Sequence, residues 1–425
     1  MIPDLNGCSF QFLGQFNELL NVRYNNPRGL HARLRGERAK FPCLSKFKEV
    51  ERTYAAAVNA LDVSLGDGRF LLSGGGDGSI VVHGVTKPST TVQQVYPVLG
   101  KVPSKSPHAH DYSVSACQFY PHDPGMFITA GTDCQVKLWD THRMTPAHKF
   151  SFDLPILDSH TSSLKSAKPL IAVACMDKYA YICDIRTLAR THTLEGHRAA
   201  VTCTRWANDG PYLLATGGAD GKILLWDVRK ARSCLGHLDS GNNASMAHNA
   251  GVVNTAHERS VISLEFAEDA HHLVSFGADH RIRLWSTVSH KNTMVDYGRV
   301  AFEFRDMTRH LQMSMSSQTQ PSLIYIPSGD KILVYEMMTG VKIATLTAHF
   351  GHVLACAYHP SLQYLFSGAT DRNILLWAPA DEFKDFEEEM EEGRRKQLER
   401  SAKRIANGAV QMQQLQMDTW SDDED

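Results

Sequence analysis

The chain has 425 residues, 43% of them hydrophobic and 21% charged, which gives room for a large core and the composition of an ordinary globular protein. With 44 basic and 46 acidic side chains the formal net charge is −2, so no general basic field draws the chain to nucleic acid. No run approaches ~18 consecutive apolar residues, so no membrane-spanning helix is expected.

The N-terminus "MIPDLNGCSFQFLGQFNELL" lacks the cationic start and unbroken apolar stretch of a secretory signal. Residues 1–44 read as a helical arm. "FNELLNVRY" and "GLHARLRGERAKF" are each a helix candidate, separated by "NNPRG". Phe12, Phe16, Leu19 and Leu20 fall three to four residues apart, an apolar stripe in need of a partner. Two helices alone bury too little to be stable, so the arm is expected to fold on binding or to pack under the domain that follows.

From residue 45 to 380 a pattern repeats. "ATGGADGKILLWDVRKA" (215–231) returns as "AGTDCQVKLWD" (130–140), "GADHRIRLWS" (277–286) and "GATDRNILLWA" (368–378). In each an Asp precedes a Trp by six residues: Asp133 and Trp139, Asp220 and Trp226, Asp279 and Trp285, Asp371 and Trp377. Degenerate copies place Asp77 before His83, Asp177 before Cys183 and Gly329 before Tyr335. The seven Trp-type positions lie 42 to 59 residues apart, which fits four-stranded sheets of ~40–45 residues with the excess in loops. Within a unit, "AVTCTRWA", "YLLATGG" and "KILLWDV" have strand length and strand composition, and no ten-residue helical period separates them. The expected fold is therefore all-β, a ring of seven blades. "SKFKEVERTY" (45–54) is the expected closing strand, pairing into the blade that ends at Trp377, because closure removes an exposed sheet edge. The nine cysteines include no C-x-x-C pair. Cys117, Cys175 and Cys203 read as buried reduced thiols, and no zinc, other metal or cofactor is expected.

The residue types have a common physical reason. Asp220 sits at a strand reversal where its carboxylate can accept backbone N–H groups, and Trp226 carries one indole donor that needs an acceptor once buried. His197, after Gly196, can bridge Asp220 to Thr216. His108 or His110, His257 and His349 stand at the corresponding places. On paper His, Asp and Ser or Thr make a catalytic triad, but a catalytic site would not recur blade after blade, so these are structural tetrads and no catalytic residue is expected. With these motifs the chain resembles the WD-repeat family of β-propellers.

Between the fourth and fifth units, "RSCLGHLDSGNNASMAHNAGVVNTAHE" (232–258) reads as a Gly-, Asn- and Ser-rich loop. Residues 381–425 form a charge-dense tail, helical then disordered. It holds a basic cluster at 394–404 that could serve nuclear import and ends in "DTWSDDED", an acidic stretch around Trp420.

Arg229 follows the Trp226–Asp227 pair and has no role in a tetrad, so it is free to meet Asp227 or a partner's carboxylate. "LATGGADGKILLWDVR" resembles the box by which WD-repeat receptors engage the damaged-DNA-binding adaptor of cullin–RING ubiquitin ligases. "YICDIR" offers Arg186 in register, while Arg143 in "WDTHR" is displaced by one. "GRFLLSGGGDGSIVVHG" (68–84), "YPHDPGMF" (120–127), "NTAH" (254–257), "NTMVDYGRV" (292–300) and the terminal "DTWSDDED" resemble the Cockayne syndrome group A family of receptors. That resemblance implies a nuclear, non-catalytic substrate receptor of transcription-coupled repair, moving to chromatin and the nuclear matrix on damage. Its implied partners are the adaptor and ligase core, the Cockayne group B translocase and stalled RNA polymerase II, with no direct nucleic-acid or membrane contact. It further implies that Arg186, Arg229 and Asp227, with Phe12, Phe16 and Leu20, hold the adaptor. Clients are expected on the opposite face, including the loops after Pro121 and around Asp296–Tyr297. Three rivals remain: a WD scaffold in chromatin or RNA processing, an enzyme built on central carboxylates, and a direct binder of damaged DNA. The second would need a non-repeating buried acid pair, which the sequence does not display.

Overall fold

Short runs of β-branched and aromatic residues separated by Gly, Asp and Asn turns suit antiparallel strands, and the computed structural model folds every repeat unit in that way. It describes residues 27–379 apart from 47, 65, 67, 86–93, 163–168, 209–211, 231–233, 243–254 and 301–310. Phe12, Phe16 and Leu20 and the tail from 380 onward lie outside the described residues.

The first blade comprises Val58–Val63, Phe70–Gly75, Ile80–Gly84 and Val98–Val102, from inner to outer strand. The second comprises Val114–Phe119, Met126–Gly131, Gln135–Asp140 and Thr145–Ser151. Ile156–Thr161, Leu170–Cys175, Tyr179–Asp184 and Ala189–Glu195 make the third. Val201–Trp206, Leu213–Gly218, Ile223–Asp227 and Cys234–His237 make the fourth. The stretch expected to be a loop from residue 232 thus supplies the fourth blade's outer strand, and near its other end His257 supplies a tetrad. The fifth blade is Val261–Phe266, His272–Gly277, Ile282–Ser286 and Lys291–Asn292, and the sixth Ser314–Met315, Leu323–Ser328, Lys331–Glu336 and Lys342–Thr347. The seventh has only Val353–His359, Tyr364–Ala369 and Ile374–Pro379 from its own unit.

Its outer strand comes from the other end of the ring. Strand β1 (Pro42–Leu44) pairs antiparallel with Ile374–Pro379 in the register Pro42↔Pro379, Cys43↔Ala378 and Leu44↔Trp377. The blade is the expected one, but the strand lies earlier than 45–54, so the ring's sheet begins three residues before the expected boundary at 45. The reason is a turn: the Ser45 hydroxyl accepts the Lys48 backbone N–H at 2.9 Å and swings the chain out of the sheet. Lys48–Val50 then pairs parallel with Gln94–Tyr96, and the buried Lys48 ammonium donates to the Tyr364 hydroxyl at 2.6 Å.

Apolar side chains of neighbouring blades meet in one core per interface, seven in all. In one of them Val58, Leu61 and Leu71 of the first blade pack on Phe366 and Leu376 of the seventh, so the ring is closed. The fold is a seven-bladed β-propeller, almost all strand. Helix α1 (Pro27–Ala39) starts at a proline, which the first helical turn tolerates, and ends with Arg38 in its last turn. Ala39 enters the core between the sixth and seventh blades.

Among the described residues, four blades hold a complete tetrad. Thr129, Thr216, Ser275 and Ser367 each accept an indole N–H at 2.8 Å, from Trp139, Trp226, Trp285 and Trp377 respectively. Each hydroxyl also meets a histidine Nε2 at 2.7–2.8 Å, from His110, His197, His257 and His349. The other ring nitrogen reaches Asp133, Asp220, Asp279 or Asp371 at 2.8–3.1 Å. His110 rather than His108 fills the second blade's place. Burial alone would raise the Asp279 carboxyl; hydrogen bonds and charge from His257 and Arg283 outweigh it and hold the group well below the ordinary carboxylate range. The first blade, with no histidine at the tetrad place, uses Tyr54, whose hydroxyl donates to Ser73 at 2.6 Å. Cys117, Cys175 and Cys203 are buried free thiols, and burial pushes Cys175 and Cys203 up to about 12.

Asp220 accepts the Lys222 and Arg198 backbone N–H groups at 3.1 and 3.0 Å besides bonding His197. Replacing Asp220 with Ala strands these donors, and the expected loss is ~1–3 kcal/mol in chemical denaturation. Asp177→Ala, in a blade without a tetrad histidine, should cost less in the same measurement.

Candidate protein-interaction face

A meander of four strands sends its first-to-second and third-to-fourth connections to one end, and its second-to-third connection and blade-to-blade link to the other. Because all seven blades are strung in the same sense, the ring has two faces of distinct origin. Arg186 and Arg229 both lie just after a third strand, Tyr179–Asp184 and Ile223–Asp227, in adjacent blades and on one face. Arg143 follows Gln135–Asp140 and shares that face.

The three arginines are held differently. Arg229 forms a two-pronged pair with Asp227, Nε to Oδ1 at 3.0 Å and Nη2 to Oδ2 at 2.9 Å, and its guanidinium lies 4.6 Å above the Tyr212 ring. Asp227 is nearly buried, while the Arg229 side chain remains 60% exposed. The hydrogen bonds from Arg229 hold the Asp227 carboxyl below its ordinary range. Arg186 is exposed and has no ion pair among the described residues; Asp184 instead accepts its backbone N–H at 2.8 Å. Arg143 approaches Asp140 only to 3.9 Å and is 82% exposed.

Helix α1 packs on the same face. Arg35 donates to Gln318 at 2.6 Å, and the Gln320 N–H donates to the Ala32 carbonyl at 2.8 Å; both glutamines lie between the first two strands of the sixth blade. Gly36 permits this approach, since a Cβ there would stand 2.1 Å from the Gln320 carbonyl oxygen. His31, Arg33 and Leu34 stay exposed on the outer side.

Two expectations about the client face need correction. The segment after Pro121 joins the second blade's first two strands, so it lies on the arginine face, and the charge of Arg186 acts on neighbouring Tyr120. Tyr297 is buried in the core between the fifth and sixth blades, with its hydroxyl donating to the Met337 carbonyl.

The structure also assembles what the sequence did not display, a non-repeating acid cluster in which Asp158 is buried and Asp62 and Glu265 are half-buried. A central cavity of about 400 Å³ is lined from the first strands of all seven blades and includes Asp62, Asp158, Arg205 and Glu265. Arg205 donates to Asp158 at 2.7 Å and to Glu265 at 3.1 Å, tying the third, fourth and fifth blades together. Asp158 further accepts the N–H groups of Thr204 and Ser159, both at 2.9 Å. Asp62 accepts the Phe119 N–H at 2.7 Å, and burial pushes its carboxyl up to about 7. These groups fasten blade to blade, and no set of three or more metal-ligating side chains converges among the described residues. Such pairings join residues from different blades, so no short motif announces them; a charged residue inside a strand pattern was the available signal.

Comparison with known proteins agrees with the geometry. The family model described as "WD domain, G-beta repeat" matches residues 47–83, 101–140, 188–227, 251–286 and 340–378. The chain thus carries WD repeats, and propellers of that kind typically serve as non-catalytic scaffolds for protein–protein contact. It is 27% identical to "WD repeat-containing protein ATCSA-1" of Arabidopsis thaliana, over 80% of this chain and 90% of that protein. Another relative, "Radiation-sensitive protein 28" of Saccharomyces cerevisiae, is 23% identical over 41% of this chain and 38% of its own length. "B-type cell cycle switch protein ccs52A" of Medicago truncatula is 25% identical over 60% and 48%.

The raised Asp62 carboxyl makes stability pH-dependent. A protonated Asp62 favours the folded state, so its contribution is fully present below the unfolded value near pH 4 and is lost as pH rises through about 7. Urea midpoints of the Asp62→Asn variant should fall less than wild type between pH 5 and 8.

Proposed function

We propose that this chain is the substrate receptor of a nuclear cullin–RING ubiquitin ligase acting in transcription-coupled repair, docking the damaged-DNA-binding adaptor with its arginine face. The observation that carries the reading is Arg229. A guanidinium fixed by two hydrogen bonds to Asp227 and laid over Tyr212 has already lost its rotamer freedom, so a partner's carboxylate meets it at little entropic cost. Arg186 supplies a second contact one blade away, and α1 lies on the same face, preceded in sequence by residues 1–26, which include Phe12, Phe16 and Leu20. The names of two relatives, "ATCSA-1" and "Radiation-sensitive protein 28", support a repair setting.

On this reading the chain performs no covalent chemistry. It holds the Cockayne group B translocase or stalled RNA polymerase II on its other face, so that a client lysine stays near the ubiquitin-loaded conjugating enzyme. The gain is one of effective concentration. Closed, rigid blades suit the role, because the distance between the two faces must persist through each transfer.

Purified full chain and adaptor test the proposal directly. Arg229→Glu should weaken adaptor binding about tenfold or more while the chain still unfolds cooperatively, at a somewhat lower midpoint because Asp227 loses its pair but every tetrad is kept. Removing residues 1–26, which leaves β1 in place, should weaken it as well. A wild-type chain that ignores the adaptor would leave only a scaffold without a ligase.

A further inference from the structure

The face opposite the arginines carries an unusual side chain. Phe350, in the link from the sixth to the seventh blade, is 97% exposed. It is also held rigidly. Its backbone N–H donates to the tetrad carboxylate of Asp371 at 3.2 Å, and the preceding residue is the tetrad histidine His349. The next two residues are pinned to the turn between the seventh blade's second and third strands. The His352 N–H donates to the Thr370 hydroxyl at 2.9 Å, and the Thr370 N–H returns to the His352 carbonyl at 2.9 Å. Gly351 allows this contact, since a Cβ there would lie 2.4 Å from the Thr370 Oγ1. That same turn carries Arg372, exposed, left-handed at φ 69°, and without an ion pair among the described residues.

An aromatic ring left in water with its backbone immobilised, beside an unpaired guanidinium, has the makings of a binding hot spot: a large apolar anchor, little ordering entropy to lose, and one charge to fix orientation. Tyr112, 67% exposed, lies on the same face in the link into the second blade, two blades further round the ring. We propose that Phe350 and Arg372 form a docking site for an acidic peptide segment bearing a bulky apolar side chain. The apolar side chain covers the Phe350 ring, and a neighbouring carboxylate pairs with Arg372. The inference rests on the reading above, in that clients meet the face turned away from Arg186 and Arg229.

A random peptide library displayed on phage and selected on the purified full chain tests it. Enriched sequences should place Asp or Glu next to a large aliphatic or aromatic residue. A labelled synthetic peptide of that consensus should lose about tenfold in affinity on Phe350→Ala and a similar factor on Arg372→Glu. Wild-type and Phe350→Ala affinities should fall steeply on going from about 0.1 to 1 M salt, whereas that of Arg372→Glu should not. Arg229→Glu should bind the peptide like wild type, and an adaptor-binding chain that captures no such peptide would overturn this site while leaving the ligase reading intact. No enrichment, a basic or uncharged consensus, or a peptide indifferent to both substitutions would overturn it. So would a dimer in sedimentation velocity that Phe350→Ala dissolves, because a second copy would then be the occupant. An unchanged melting temperature in Phe350→Ala, expected for a ring that is almost wholly in solvent, separates lost binding from lost fold.

Discussion

A buried indole carries one hydrogen-bond donor and no means of giving it up. Placing Trp139, Trp226, Trp285 and Trp377 in the interior therefore demands four acceptors, and a hydroxyl ten residues earlier in each unit supplies one. The hydroxyl has a second site to fill, which selects a histidine; the histidine's far nitrogen selects an aspartate; and the aspartate's spare lone pairs fix the turn N–H groups that set the strand register. Each requirement follows from satisfying the one before it. The result is a blade whose four strands are tied by side chains as well as by their ladder.

Blades so built still have to stay together. Apolar cores do most of this, one at each interface, and at the centre polar side chains reach from one inner strand to the next. Asp62 holds Phe119, Gln118 holds Thr161, Asp158 holds Thr204, Arg205 holds Glu265 and Ser314 holds Tyr358. Each fills a backbone or charged partner that the inner strands, at the channel, cannot pair within their own sheet. The closing strand β1 then joins the two ends of the ring, so that separating the first and seventh blades requires breaking a sheet rather than parting two surfaces.

Such a ring separates two surfaces by construction. One gathers the third-to-fourth turns with Arg143, Arg186 and Arg229, together with α1; the other gathers the tetrad loops, where every projecting residue after a tetrad histidine is anchored by a carboxylate. Asp111, Arg198, Glu258 and Phe350 occupy those positions, each with its N–H on the tetrad aspartate. The same hydrogen bonds that stabilise a blade thereby fix what that face displays.

The sequence by itself determined the repeat, the number of blades, the tetrads and the position of Arg229, because all of these are set by local spacing: histidine, hydroxyl, aspartate and indole of one tetrad lie within 29 residues of one another. It also pointed to the seventh blade as the one completed by N-terminal chain. Only the tertiary structure decided that the closing strand is Pro42–Leu44, since a serine turn at Ser45 redirects the chain; that Tyr54 stands in for a missing histidine; and that the 121 segment shares a face with Arg186 while Tyr297 is buried. The acid cluster around Arg205 belongs to the same class. Its members come from separate blades and meet only once the ring has closed, so their proximity has no expression in the order of residues along the chain.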